Sequence, residues 1–231
     1  LLMSSPKPLR SAAASAAHRG WWLGLAGVVM FALTIPLTRL ASGSVDLPQL
    51  PAAFVAIGRA ALAGLLALAY LVAVRAAWPT PRQWRARAVT ASGVVFGFPL
   101  CMGLAVRQVD AVHAAVVTGL LPLATAVGAA LWLGQRPPRA FRATAAAGAA
   151  LVLAFAAWKG GAHLQPADGL LLGAVALGAM GYVSGARLSL QMPPEHVISW
   201  ALVLSLPLCG PWTLLNLPAQ PVRAVSWAAF G

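Results

Sequence analysis

The chain has 231 residues, 60% of them hydrophobic and only 9% charged, with a mean hydropathy of +0.81; an ordinary soluble domain is about 45–50% apolar and about 25% charged. That composition excludes a soluble enzyme, which could not hide so much apolar surface at this size, and excludes a disordered chain more firmly still. The net charge of +12 would suggest nucleic acid in a polar protein, so the positions of the sixteen Lys and Arg decide what the charge is for.

A bilayer core of roughly 30 Å takes about 20 apolar residues in a helix, and seven such runs are predicted. A tail with Lys7, Arg10 and Arg19 leads into the first, 21–41, which is longer than the apolar core of a signal peptide and carries Thr34 and Thr38 one turn apart around Pro36. The second, 52–74, contains Arg59 seven residues in, roughly 10 Å below the surface at about 1.5 Å per residue. A cation at that depth is costly. It either snorkels or pairs with carbonyls of a neighbouring span, or it contacts an anionic substrate. The third run, 88–106, bears a stripe of Thr90, Gly93, Gly97 and Cys101, and the fourth, 113–134, a stripe of Thr118, Pro122 and Thr125. The fifth, 143–158, is the shortest. The sixth, 169–186, aligns Gly178, Tyr182 and Gly185, and the seventh is 197–215. An eighth begins at Ala224 and stops at Gly231 before it could cross, which reads as an early stop. Pro36, Pro99, Pro122 and Pro207 each remove a backbone hydrogen bond within a run, freeing carbonyls that need partners in protein or in a water-filled cavity.

The basic residues alternate with the runs. The tail, the second-to-third loop (Arg75, Arg82, Arg85, Arg87), the fourth-to-fifth loop (Arg136, Arg139, Arg142) and the sixth-to-seventh loop (Arg187) hold most of them, against Arg107, Lys159 and Arg223 on the other side. The positive-inside rule therefore puts the N-terminus in the cytoplasm and removes the support for nucleic acid. Trp21, Trp22, Trp132, Trp158, Trp200 and Trp212 near the run ends are expected as headgroup anchors.

All four acidic residues, Asp46, Asp110, Asp168 and Glu195, fall in loops or at run ends, which argues against intramembrane aspartyl proteases, lipid-phosphate transferases and light-driven pumps. There is no HExxH, and Ser42, Ser92 and Ser184 lack the glycine of a GxSG nucleophile turn. His18, His163 and His196 flank the runs, and His113 reads as a polar cap opening the fourth. Cys101 and Cys209 lie in apolar runs without partners at ligand spacing. No enzyme, metal or cofactor is expected.

The stretch from Leu23, LGLAGVVMFALTIPLTRLA, echoes LGAVALGAMGYVSGARLS from Leu172, pairing Gly24 and Arg39 with Gly173 and Arg187. With five runs between the copies the second is inverted, the sign of a duplicated transporter. This divides the chain into a tail (1–19), a first repeat of five spans (20–159) and an incomplete second repeat (168–231), whose full copy would reach about residue 308. Glycines four apart, at Gly20 and Gly24, Gly93 and Gly97, Gly169 and Gly173, and Gly181 and Gly185, suit close helix packing, and a homodimer through such a face stays open.

The segment AAVVTGLLPLATAVGAALWLGQRPPRAFRATAAAGAALVLA from Ala114 resembles the end of an EamA domain in the drug/metabolite transporter superfamily, and FALTIPLTRLA with FVAIGRA is similar to its opening spans. The resemblance implies an all-α, polytopic helix bundle, a truncated form of a ten-span inverted-repeat secondary transporter. Such a protein would export small organic metabolites across the bacterial inner membrane by alternating access, with lipid and solute as its partners. It also implies that the first, third, fourth and sixth spans line the cavity, which assigns Thr34, Thr38, Gly97, Thr118, Pro122, Tyr182 and Ser184; Arg59 and Thr125 join them as candidates. Gln135 stands where the family usually has Glu, which puts any ion-pair latch there in doubt. The alternative reading is a non-transporting interaction subunit or a nonfunctional fragment.

Overall fold

A computed structural model describes residues 9–134, 137–159, 165–219 and 221–230; Lys7, Gln135, Arg136 and His163 lie outside the described residues. The described chain is helical without strands, in the order α1 (Leu9–Ser42), α2 (Ala52–Ala73), α3 (Pro81–Ala105), α4 (Ala111–Leu133), α5 (Arg139–Lys159), α6 (Pro166–Leu188), α7 (Pro194–Leu215) and α8 (Ala224–Phe230). Six of these helices are long and apolar enough to cross a membrane: α1 from Gly20, α2, α3, α4, α6 and α7. The fifth apolar run is also helical, as α5.

Several helices start earlier than apolarity predicts, and proline is the reason. Pro81, Pro166 and Pro194 stand in the first helical turn, where the missing N–H costs nothing and φ is already helical. Thr80 donates its backbone N–H to Gln83 Oε1 (3.1 Å), and Gln165 donates its own to Asp168 Oδ2 (2.9 Å), so the backbone is satisfied where α3 and α6 begin.

Two of the interior prolines are accommodated by local changes of helix type. In α3 the chain is π-helical over Ala91–Gly97 and the Phe98 N–H donates to Gly93 O five residues back, so the widened turn delivers Pro99 where an α-helix would have set its ring against Val95 O. In α4 the helix breaks after Thr118, and the N–H groups of Gly119 and Leu120 donate to Val116 O and Val117 O (both 3.1 Å) just before Leu121 and Pro122 restart it. Pro36, Pro207 and Pro211 lie within continuous helices.

Helix α6 is the centre of one half, packed against both α3 and α4, while α2 lies along α7 and α1 lies mainly on α8. The α3–α6 seam is built from small residues. A Cβ on Gly93 would stand 2.4 Å from Leu177 O and 2.8 Å from Gly181 Cα, so the two backbones touch only because neither residue has a side chain. Gly20, Gly24 and Gly169 meet nothing within 4 Å and make no seam.

The perimeter is apolar, with Leu131, Leu151 and Met30 directed outward, as the lipid-facing side of a multi-pass protein requires. Trp132 and Trp158 are exposed near helix ends, and Trp21 and Trp22 are exposed where the apolar part of α1 begins. Trp200 departs from its expected role as an anchor: it is buried, with its ring 5.1 Å from that of Trp78.

Candidate functional site

Three of the nine candidate residues meet in one place. A cavity of about 300 Å³ opens between α1, α2, α3 and α7, and Thr34, Thr38 and Arg59 line it. Thr34 and Thr38 are brought to it by their four-residue spacing on α1. Arg59 reaches it from α2, where small neighbours at Ala56, Ala60 and Ala63 leave room along the same wall. The π-helical turn of α3 turns Val94 and Val95 inward, and Phe98 and Pro99 follow them.

The walls are otherwise apolar, so the chemistry of the cavity is that of one guanidinium and two hydroxyls. Arg59 donates from Nη1 to Thr38 Oγ1 (2.9 Å) and from Nε to Phe230 O (3.0 Å), and it donates from Nη2 to Ala229 O. Three of its five N–H groups are thereby used, and two have no partner among the described residues. Among the described residues Arg59 makes no ion pair, and its partners are all neutral oxygens. Burying a cation this way is tolerable because each contact is a charge-assisted hydrogen bond; among the described residues no carboxylate neutralises its charge. Thr34 is more weakly held, its hydroxyl lying 3.4 Å from Met30 O.

The remaining candidates lie elsewhere. Thr118 is buried and donates to Ala114 O (2.8 Å), and Thr125 donates to Leu121 O (2.8 Å), so both hydroxyls satisfy their own helix. Pro122 is exposed at the restart of α4. Gly97 faces α6, where a Cβ would stand 2.8 Å from Leu177 Cδ1, so its place is in the packing seam. Tyr182 is 37% exposed on the outside of α6. Ser184 is buried and ties α6 to α3 by donating to Ala86 O (2.8 Å), beside a separate pocket rich in arginine.

Other pairings were not legible in the sequence. Arg39, at the end of α1, donates to Val106 O and to Val109 O, binding α1 to the chain that leaves α3. His113 Nε2 lies 2.6 Å from Asp168 Oδ1, which joins the starts of α4 and α6. The available signal was that both residues sit in first turns at the same end of the bundle. Among the described residues no three His, Cys, Asp or Glu side chains are grouped as metal ligands.

Comparison with known proteins agrees with this architecture. The family model described as the EamA-like transporter family matches residues 18–157. Over 212 residues the chain is 42% identical to the "Uncharacterized transporter YdeK" of Bacillus subtilis (strain 168), an alignment that covers 92% of this chain and 70% of that protein. No solved structure matches.

Proposed function

We propose that this chain, which belongs to the EamA-like transporter family, exports a small organic solute across the bacterial cytoplasmic membrane by alternating access, with Arg59 as the polar contact for that solute. The observation that carries the reading is the cavity of about 300 Å³ with apolar walls and a guanidinium that has no carboxylate partner among the described residues. An apolar pocket with a few fixed polar groups is the general form of a small-molecule site, and an intramembrane charge in such a pocket is a mark of a solute path. The solute class that fits is one with an apolar body and an anionic or carbonyl oxygen for the two free N–H groups of Arg59.

The proposed motion is of the segment 20–159 against 168–231, as oppositely oriented repeats, with the N-terminus in the cytoplasm. The interval matched by the family, residues 18–157, supports that division, and the arginine-rich ends of α3 and α6 support the orientation. Because no acidic side chain lines the cavity, the reading includes passage down the solute's own gradient.

The test is flux from proteoliposomes loaded with a mixed panel of labelled amino acids, organic acids and nucleosides. The expected result is loss of one class faster than from protein-free vesicles, reduced tenfold or more by Arg59→Ala, about 1.4 kcal/mol or more of lost interaction. Flux indistinguishable from protein-free vesicles across the panel would overturn transport. A robust flux that Arg59→Ala and Thr38→Ala both leave unchanged would overturn the site.

A further inference from the structure

We infer that the arginine-rich pocket at the ends of α3, α4 and α6 is a phosphate site, occupied by the headgroup of an anionic phospholipid. It is separate from the cavity of Arg59 and encloses about 770 Å³. Arg82, Arg85, Arg187 and Gln191 line it together with Trp132 and Leu133 from the end of α4. Among the described residues no carboxylate lines it and none of these arginines takes part in an ion pair.

A second observation stands behind the wall. Arg87 is 1% exposed, and its partners are neutral: Nη1 donates to Gln83 Oε1 (3.4 Å) and Nη2 lies 2.9 Å from Met192 Sδ, while Nε has no partner. Gln83 in turn donates from Nε2 to Gln191 Oε1 (3.1 Å). Gln191, which lines the pocket, keeps its amide N–H groups to offer there. The buried charge is thus relayed through two amides to the rim, and each link polarises the next.

The helix adds to the same sign. The N-terminus of α3 opens at this rim, where aligned peptide dipoles amount to about half a positive charge. Helices commonly place Asp or Glu there; α3 has none in its first turn and has Arg82 and Arg85 close by. Several cations, a helix N-terminus and no internal anion define a site that lacks its counter-charge, and a phosphate accepting bidentate hydrogen bonds from Arg supplies it. The apolar lining residues select the source. Trp132 and Leu133 offer acyl chains a surface that free phosphate cannot use, and basic pockets between spans at a membrane surface hold acidic headgroups. This rests on the membrane reading of α3, α4 and α6, which the flux result does not enter.

The experiment uses the full chain, purified in mild detergent and stripped of lipid, with binding read by native mass spectrometry and by thermal midpoint. The probes are dioleoyl phosphatidylglycerol, dioleoyl phosphatidylcholine and inorganic phosphate. Phosphatidylglycerol is expected to be retained at least tenfold better than phosphatidylcholine and to raise the midpoint. The double substitution Arg82→Gln with Arg187→Gln is expected to weaken its binding about thirtyfold. Arg139→Gln with Arg142→Gln, an equal loss of charge on exposed α5, should leave it unchanged. Inorganic phosphate that binds alone and displaces the lipid would assign the same site to a soluble phosphate. Equal retention of the two lipids by the unsubstituted protein, or equal weakening by the two double substitutions, would overturn the proposal. The lipid comparison is decisive even if the pocket variant does not fold.

Discussion

Gly93→Ala tests whether the α3–α6 seam is set by backbone contact. The new Cβ would stand 2.4 Å from Leu177 O and 2.8 Å from both Gly181 Cα and Gly181 N, and each of those atoms is main chain, so no side chain can rotate away. Relief requires the helices to separate by on the order of 1 Å, and a gap of that size forfeits about a quarter to a half of the dispersion energy of the atoms it parts. Overpacking typically costs about 1–3 kcal/mol, and an obstacle made wholly of α6 main chain puts this case at the upper end. Replacing a helical glycine with alanine returns about 1 kcal/mol, so the net loss is about 2 kcal/mol. At about 2–4 °C per kcal/mol for a chain of this size, the thermal midpoint should fall by about 4–8 °C. The assay is fluorescence-detected size exclusion after heating in detergent, with Gly24→Ala as control, since a Cβ there meets nothing within 4 Å and should raise or preserve the midpoint. A Gly93→Ala midpoint equal to or above that of Gly24→Ala would refute the seam.

Pro99→Ala restores an N–H and removes the ring that the π-helical turn accommodates, so it should let α3 revert toward α-helix, withdraw Val94 and Val95 from the cavity, and lower flux severalfold with little change in midpoint; unchanged flux would count against a role for that turn. Ser184→Ala deletes the hydrogen bond to Ala86 O and should cost about 0.6–1.5 kcal/mol, read as a lower midpoint with normal flux. Thr118→Ser and Thr125→Ser keep the hydroxyls that bond their own helices and should leave flux near that of the unsubstituted protein, whereas Thr38→Val should reduce it because Arg59 loses its hydroxyl partner. Arg59→Lys keeps the charge but not three donations in three directions, so it should retain less than a tenth of the flux; full activity would make charge alone sufficient.

The apolar runs were legible because lipid demands them, and each predicted run is a helix. Their starts were less legible to apolarity than to capping chemistry. The PTPRQW, QPAD and PPEH segments announce first turns by proline, and the first two also by Gln or Asp three residues after the cap, and α3, α6 and α7 begin there rather than at the first apolar residue. Thr34 and Thr38 could be placed on one face from spacing alone. Their meeting with Arg59 could not, because it depends on how α1 crosses α2. The stripe Gly178, Tyr182 and Gly185 shows the limit of such reasoning. Four residues on an α-helix advance about 40° past a full turn, enough for Gly178 and Gly185 to face α3 while Tyr182 turns out to the exposed side. Trp200 was misread for a related reason: a run end marks depth in the bilayer, but only packing decides whether a ring there faces lipid or Trp78.

The charges that the structure pairs divide by location. At one end of the bundle His113 pairs with Asp168 and Arg39 holds the carbonyls leaving α3, so charge is spent there on fixing helices to one another. At the opposite end Arg82, Arg85 and Arg187 surround a pocket without an acid. Between them, among the described residues, Arg59 is held by a hydroxyl and carbonyls. A carboxylate in place of Thr38 would have neutralised Arg59 and closed the cavity to anions. Neutral acceptors instead fix the guanidinium's position while leaving its charge and two N–H groups to a ligand. Position without neutralisation is what a binding group needs: the cost of burying the cation is met in part by hydrogen bonds that are always present, and the remainder becomes affinity for whatever anion or carbonyl enters.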